Sequence, residues 1–287
     1  KVGIVDREPG RFVSNPPDVT REGRIALLGS EIVSRRDYES AADWDAWARN
    51  PSGTGPYRLK EFRADRHVIL EAFDEYWGGR PPIREIRFEI VPEVASRAAG
   101  LASGQYDFIC DMPPDQIPVI ERSARHEAVG VPLTNHRLIV FDKNHPTLRS
   151  AQVRRAMALA IDRQLIVDSL WSGRTRVPRS LQWEYYGEMF LADWPIPSMD
   201  QNQARQLVRA SGYRGEPIPF RVLNNYYANE VSTAQVLVEM WRAVGLNVQI
   251  EMKENWQQIL AKSPRRGICD NSNSAWFNDP VASVSVF

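Results

Sequence analysis

Cysteine, lysine and histidine are all scarce in this chain, and each scarcity removes a class of function. The 287 residues contain two cysteines, Cys110 and Cys269. Two thiols make neither a disulfide framework nor a structural metal centre, and they read best as two separate buried thiols. The four histidines, His67, His126, His136 and His145, include no pair at i, i+4 and no His-Glu-x-x-His. Metal-ligand spacing is therefore lacking, and no metal or cofactor is expected. A Gly-x-Ser-x-Gly elbow for a hydrolase nucleophile is lacking too. Net charge is zero, with 36 basic and 36 acidic side chains, and only five of the basic ones are lysine. Nucleic acid, which demands a basic excess or stripe, is excluded as a partner. The pairs Arg35-Arg36, Arg154-Arg155 and Arg265-Arg266 are scattered and read as solvated faces. No run approaches the roughly 18 apolar residues of a membrane helix, so no membrane insertion is expected. The chain starts at Lys1 among polar residues, without a visible signal peptide.

What is present is an ordinary folded composition, 43% apolar and 25% charged, in a chain long enough for one large domain or two smaller ones. Residues 1–54 are rich in proline, glycine and charge, with Trp44 and Trp47 on one short helix face. Asn50–Pro56 is a dense turn cluster. Strands are predicted over Tyr57–Phe62 and His67–Ala72. Ile86, Phe88 and Ile90 alternate with charged residues as a half-buried strand. Pro92–Gly104 reads as a helix carrying Val94, Ala98 and Leu101 on one face, with Gly104 as its stop. Tyr106–Cys110 reads as a buried strand, completing a strand-helix-strand unit. Ala128–Pro132 and Arg137–Phe141 are read as further strands.

From Asp142 helices dominate. Ser150 is an N-cap for a face of Val153, Ala156, Met157, Ala160 and Ile161. Asp162 caps a second helix that stops at Gly173. Asp200 caps a third, through Ala204, Leu207 and Val208. Ile218, Phe220 and Val222 alternate as a strand. A long helix then runs from about Asn229 to Val244 and is closed by Gly245. Leu246, Val248, Ile250 and Met252 form the next strand. Alternation of this kind implies an α/β fold, with a change of character near residue 142.

Ser-Gly-Thr-Gly at 52–55 imitates a phosphate loop, but it leads into a strand rather than a helix N-terminus, so turn chemistry explains it. Carboxylates are plentiful without forming a recognisable catalytic pair. The aromatic load is more informative: nine Trp, nine Tyr and ten Phe. Trp183-Glu184-Tyr185-Tyr186, Asn224-Asn225-Tyr226-Tyr227, Asn255-Trp256 and Trp276-Phe277-Asn278-Asp279 set flat rings beside polar groups. Such walls suit sugars, peptide side chains or other small polar ligands; the plain alternative is core aromatics and loop plugs.

Asn50-Pro51-Ser52-Gly53-Thr54-Gly55-Pro56-Tyr57, followed by Glu75-Tyr76-Trp77-Gly78-Gly79-Arg80-Pro81-Pro82, resembles the family 5 extracellular solute-binding proteins, the receptors of dipeptide, oligopeptide and nickel ABC importers. Leu101-Ala102-Ser103-Gly104-Gln105-Tyr106-Asp107 is similar to the family's Leu-x-x-Gly-x-x-Asp. Val153–Arg163 is similar to Val-Arg-x-Ala-x-x-x-Ala-Ile-Asp-Arg. Gly245-Leu246-Asn247-Val248 is similar to Gly-(Ile/Leu)-x-Val at a strand entry. The resemblance implies a type II periplasmic-binding-protein-like α/β fold of two lobes with a hinge, incomplete at both ends. It assigns residues 1–141 to part of the first lobe and 142–287 to the second. Phe141-Asp142-Lys143 stands where the family has Phe-Asn-Thr at the lobe crossing.

The same resemblance implies ligand-binding residues. Trp276 and Asp279 match a Trp-to-Asp spacing in which the aspartate meets the ligand's α-amine; Asp279-Pro280 also fits a helix-entry turn. Trp256 matches an upstream tryptophan, and the loop before the long helix adds Asn225, Tyr226, Tyr227 and Asn229. The function implied is the substrate-binding component of an ABC importer. It is a periplasmic or extracytoplasmic monomer that closes by hinge motion on a small solute, foremost a peptide, and delivers it to the membrane permease. A receptor for an opine, oligosaccharide or metal chelate is an alternative ligand class. An α/β hydrolase using cleft carboxylates, and a protein-interaction domain without a small ligand, are alternatives of other classes.

Overall fold

A computed structural model describes residues 2–3, 11–12, 32–131, 133–224, 226–262, 265–274 and 280. The chain divides into two compact units, Lys1–Asp107 and Phe108–Phe287.

In the first unit, β1 (Val2–Gly3) pairs antiparallel with β2 (Arg11–Phe12). Helix α1 (Arg35–Ser40) is capped by Ser34, and α2 (Trp44–Arg49) by Asp43, whose carboxylate accepts from the Ala46 N–H at 2.8 Å. Trp44 and Trp47 lie on one side of α2, their ring centroids 5.0 Å apart, with Tyr38 against both. Strands β3 (Tyr57–Arg63), β4 (His67–Ala72) and β5 (Glu85–Glu89) form an antiparallel sheet with β4 in the middle. Its register aligns Leu59 with Leu70 and Ile86, and Phe62 with Val68 and Phe88, on one face. The alternation expected over Ile86–Ile90 is present, yet Phe88 is 56% and Ile90 59% exposed rather than half-buried.

Helix α3 (Val94–Ser103) buries Leu101 and half-buries Val94 and Ala98. Gly104, at φ 79°, ends it in the left-handed conformation that glycine adopts without a Cβ clash. The predicted strand Tyr106–Cys110 does not form, so the strand-helix-strand unit lacks its third member. Two backbone N–H groups, of Gln105 and Tyr106, turn back onto the Gly100 carbonyl, and the Tyr106 ring lies against Gly100. Phe108 is 82% exposed, and Cys110 is exposed instead of buried.

The second unit starts with the short helix α4 (Ile117–Glu121). Ala128–Val131 is irregular, with Val129 and Val131 exposed, in place of the expected strand; Pro132 lies outside the described residues. The sheet order is β6 (Asn135–Phe141), β9 (Ile268–Ser274), β7 (Ile218–Leu223), β8 (Val248–Lys253). The pair β6–β9 is antiparallel, whereas β9–β7 and β7–β8 are parallel. Strand β6, which closes the stretch read from sequence as first lobe, is thus paired along its full length within this sheet.

Helices α5 (Ala151–Leu159), α6 (Arg163–Trp171), α7 (Gln201–Ala210) and α8 (Glu230–Ala243) follow the predicted order. Ser150, Asp162 and Asp200 cap α5, α6 and α7 as expected, each side chain accepting from the backbone N–H three residues on. Gly245, at φ 95°, follows α8 and begins the turn into β8. Helix α9 (Trp256–Leu260) is capped by Asn255.

Val153, Ala156 and Met157 of α5, Ala204 of α7, and Ile218, Phe220 and Val222 of β7 belong to one buried core with α8. At its centre Trp241 is fully buried, edge-on to Phe220, with its indole N–H donating to the Met157 carbonyl at 3.0 Å. Deleting this ring leaves a large cavity and an unpaired carbonyl, so Trp241→Ala should cost about 3–5 kcal/mol in urea denaturation. Trp241→Phe should cost less, since most of the ring is retained. Equal losses for the two variants would show that packing is not what the indole supplies.

Candidate functional site

The loop between β7 and α8 brings together residues that sequence reasoning singled out. Glu230, the first residue of α8, is 1% exposed, and its carboxylate accepts from the N–H groups of Leu223 at 2.9 Å and Tyr227 at 3.2 Å. One buried acid therefore closes the loop and satisfies two donors near a helix start, where negative charge is favoured. Asn229 holds φ 55°, a left-handed geometry that asparagine tolerates better than most residues. Its amide nitrogen donates to the Leu170 carbonyl at 2.6 Å, so this side chain is committed to holding the loop.

Trp256 arrives from a different element. Arg221, 1% exposed on β7, sends one guanidinium nitrogen to the carbonyls of Gln258, Ile259 and Ala261 at 3.2, 3.3 and 2.6 Å. These are late carbonyls of α9 and its cap, which lack helical partners of their own. The cation fixes α9 to the sheet and so places Trp256 at the helix start beside the loop. The Trp256 ring lies 5.1 Å from Tyr226 and 6.1 Å from Tyr227, and the two tyrosines are 4.9 Å apart, all edge-to-face. Tyr226 is 62% exposed. The result is an aromatic wall with one open ring and two anchored ones.

Behind the wall stands a pair that the sequence did not announce. The Arg137 guanidinium lies 4.0 Å from the Tyr227 ring centroid and is ion-paired with Asp270, which is 4% exposed. The Tyr227 hydroxyl donates to Ser272 Oγ at 3.0 Å. Burial pushes the Asp270 carboxyl up to about 6, against the pull of Arg137. Desolvation of a buried charge can outweigh the attraction of its partner. Burial likewise raises the Tyr227 phenol. Cys269, fully buried, is pushed up to about 11 by burial, which leaves an inert thiol.

The three other candidates, Asn225, Trp276 and Asp279, lie outside the described residues. Among the described residues no group of three or more His, Cys, Asp or Glu side chains is placed to hold a metal ion. No helix among them is long and apolar enough to cross a membrane.

The sequence pattern of the family described as bacterial extracellular solute-binding proteins, family 5 (middle), matches residues 12–287. The oligopeptide-binding protein AppA of Bacillus subtilis is 24% identical over 268 residues, 88% of this chain and 47% of AppA. The dipeptide-binding protein of Escherichia coli is 23% identical over 92% of this chain and 50% of its own length. The chain thus spans about half the length of these relatives. Among solved structures, the periplasmic binding protein DppA of Helicobacter pylori in complex with peptide STSA superposes with a TM-score of 0.84 and 18% identity. That match covers 99% of this chain and 56% of DppA. NikA of Staphylococcus aureus in complex with Ni(L-His)2 gives 0.69 at 21% identity, over 81% of this chain and 50% of NikA. The fold is therefore the type II periplasmic-binding-protein-like α/β class.

Buried Asp270 and half-buried His136 make opposite contributions to acid stability. Asp270 is raised from 3.8 to about 6 in the folded chain, so its contribution is complete below the lower value and lost as pH rises through the upper one. His136 is lowered from 6.5 to about 4, first by burial, so its contribution is present above the higher value and lost as pH falls. Because the two oppose each other, each variant is compared with the parent. Asp270→Asn should gain in melting temperature on the parent as pH rises from about 4 to about 7. Losing ground over that interval would show that the Arg137 pair, not desolvation, dominates.

Proposed function

The chain belongs to the bacterial extracellular solute-binding proteins of family 5, and from that premise we propose that it captures a small solute and hands it to the membrane permease of an ABC importer. Peptides or peptide-like molecules are the leading class, because relatives named for oligopeptide and dipeptide binding match most of the chain. It acts outside the cytoplasmic membrane as a monomer, without catalysis. The ligand is captured by the conformation that binds it best, which is the whole of the mechanism such a receptor requires.

The observation that carries this reading is the aromatic wall. Tyr226, Tyr227 and Trp256 come from two elements, and buried Glu230 and Arg221 hold those elements in place. Wall residues anchored so firmly, with Tyr226 left open, are pre-organised to receive a flat or aliphatic ligand group at low entropic cost. Asn225, Trp276 and Asp279 belong to the same proposed ligand-binding set. Asp279 is assigned a cationic ligand group, since a carboxylate removed from water needs a partner. Asn229 serves the set by holding the loop.

Titration calorimetry of the full-length protein with di- and tripeptides, an oligosaccharide and a nickel–histidine chelate tests the proposal. Saturable binding of a peptide without product is expected. Trp256→Ala should weaken it by about tenfold or more, as for a well-packed aromatic anchor. Binding of none of these solutes, or turnover of the peptide, would overturn the reading.

A further inference from the structure

On the opposite face of the β6–β9 pair from Arg137, a second polar cluster surrounds three unpaired atoms. His136 and Asn273 are register partners across the two strands. The His136 ring stacks on Trp183 at 3.5 Å between centroids, with planes 22° apart, and the Tyr185 ring lies beyond Trp183 at 6.4 Å. The Leu181 carbonyl accepts from the Asn273 amide nitrogen at 3.2 Å. A neutral imidazole carries one N–H, so Nδ1 serves as acceptor or as donor according to the tautomer. His136 Nδ1, Asn273 Oδ1 and Trp183 Nε1 are all buried without a hydrogen-bond partner, and Asn273 is 3% exposed. A buried polar atom without a partner is destabilising until it is paired, and three in one cluster call for a common partner.

The unmet set is one acceptor, Asn273 Oδ1, one donor, Trp183 Nε1, and the His136 ring nitrogen, which serves as either. Its complement is a flat, neutral group that carries both N–H donors and a carbonyl oxygen. We propose that His136, Asn273 and Trp183 form a binding site for an uncharged primary carboxamide, such as the side-chain amide of glutamine or asparagine. The amide NH2 donates to Asn273 Oδ1 and its carbonyl accepts from Trp183 Nε1, while His136 Nδ1 takes the second amide N–H or donates to the same carbonyl. Charge supports the neutral choice. Burial holds the His136 imidazole down to about 4, so it is uncharged at neutral pH. The nearby Glu184 carboxylate is already ion-paired with Arg176 and Arg179, which leaves an ammonium ligand without a counter-charge there.

Entry requires the Trp183 ring to lift from His136, because the three atoms are closed to solvent while the rings are stacked. The segment that carries the ring suits this. Between α6 and α7 its regular structure consists of short 3-10 turns within Glu184–Met189, broken by a kink at Gly187, and Leu181 and Tyr185 are 60% and 45% exposed. The site is independent of which solute the aromatic wall takes.

The test is a titration of the full-length protein with propionamide, followed by nuclear magnetic resonance of the histidine ring and tryptophan indole nitrogens. Propionate and N,N-dimethylpropionamide serve as matched probes without the NH2 donors. Propionamide should shift His136 Nδ1 and the Trp183 indole saturably, and the other two should not. His136→Phe keeps the stacked ring and removes the ring nitrogen; read at the indole, it should weaken propionamide about fivefold. Trp183→Phe, at a half-buried position that tolerates the smaller ring, should do the same when read at His136. No saturable shift, an equal shift with the dimethyl amide, or unchanged affinity in a folded variant would each overturn the proposal.

Discussion

The second unit depends on one long-range closure, the antiparallel ladder between β6 (Asn135–Phe141) and β9 (Ile268–Ser274). Its strands are far apart in sequence, with α5 to α9 and the parallel pair β7–β8 between them. Closing so long a loop costs only slightly more than closing a shorter one, but the ladder must then hold without help from local structure. It does so by adding β9 to β7 as well, through Phe220 with Ile268 and Arg221 with Cys269. The register decides the site. Arg137 meets Ser272 on one face, and His136 meets Asn273 on the other. A slip of one residue would exchange the faces, moving the ion pair away from the aromatic wall.

Buried charge does the positioning around this ladder. Arg221 holds the end of α9, Glu230 holds the loop before α8, and the Arg137–Asp270 pair lies against Tyr227. None of these is an efficient source of stability, because each charge had to leave water. Their effect is geometric. Each joins backbone or rings of different elements, beside apolar contacts such as those of Ile259 with the cluster of Leu223 and Cys269. The raised carboxyl of Asp270 is the visible cost of that arrangement.

Local signals in the sequence were faithful where local physics decides. The caps Ser150, Asp162 and Asp200, the stop at Gly104 and the buried face of α5 follow from side-chain chemistry and helical period alone. The aromatic and amide segments at 224–227 and 255–256 were legible as candidate ligand surface, and Tyr226, Tyr227 and Trp256 do assemble. Strand β9 was not legible, since Ile-Cys-Asp-Asn-Ser-Asn-Ser is poor in β-formers. It becomes a strand only because β6 and β7 supply partners. Arg137 and Asp270 were missed with it, as their pairing exists only through that register. Tyr106–Cys110 and Ala128–Val131 show the converse, strand-like sequences outside any described strand. For such segments composition was read correctly and pairing could not be.

The β6–β9 ladder assembles the site as part of the cooperative core, not as an addition to it. Native-state hydrogen exchange of the β6 and β9 amides tests this most directly. Core strands open only with global unfolding, whereas peripheral elements open locally at lower free energy. The ladder amides of β9 should exchange at the same opening free energy as those of β7, and both should respond equally to denaturant. Exchange of β9 at a markedly lower free energy, with β7 and β8 still protected, would contradict it.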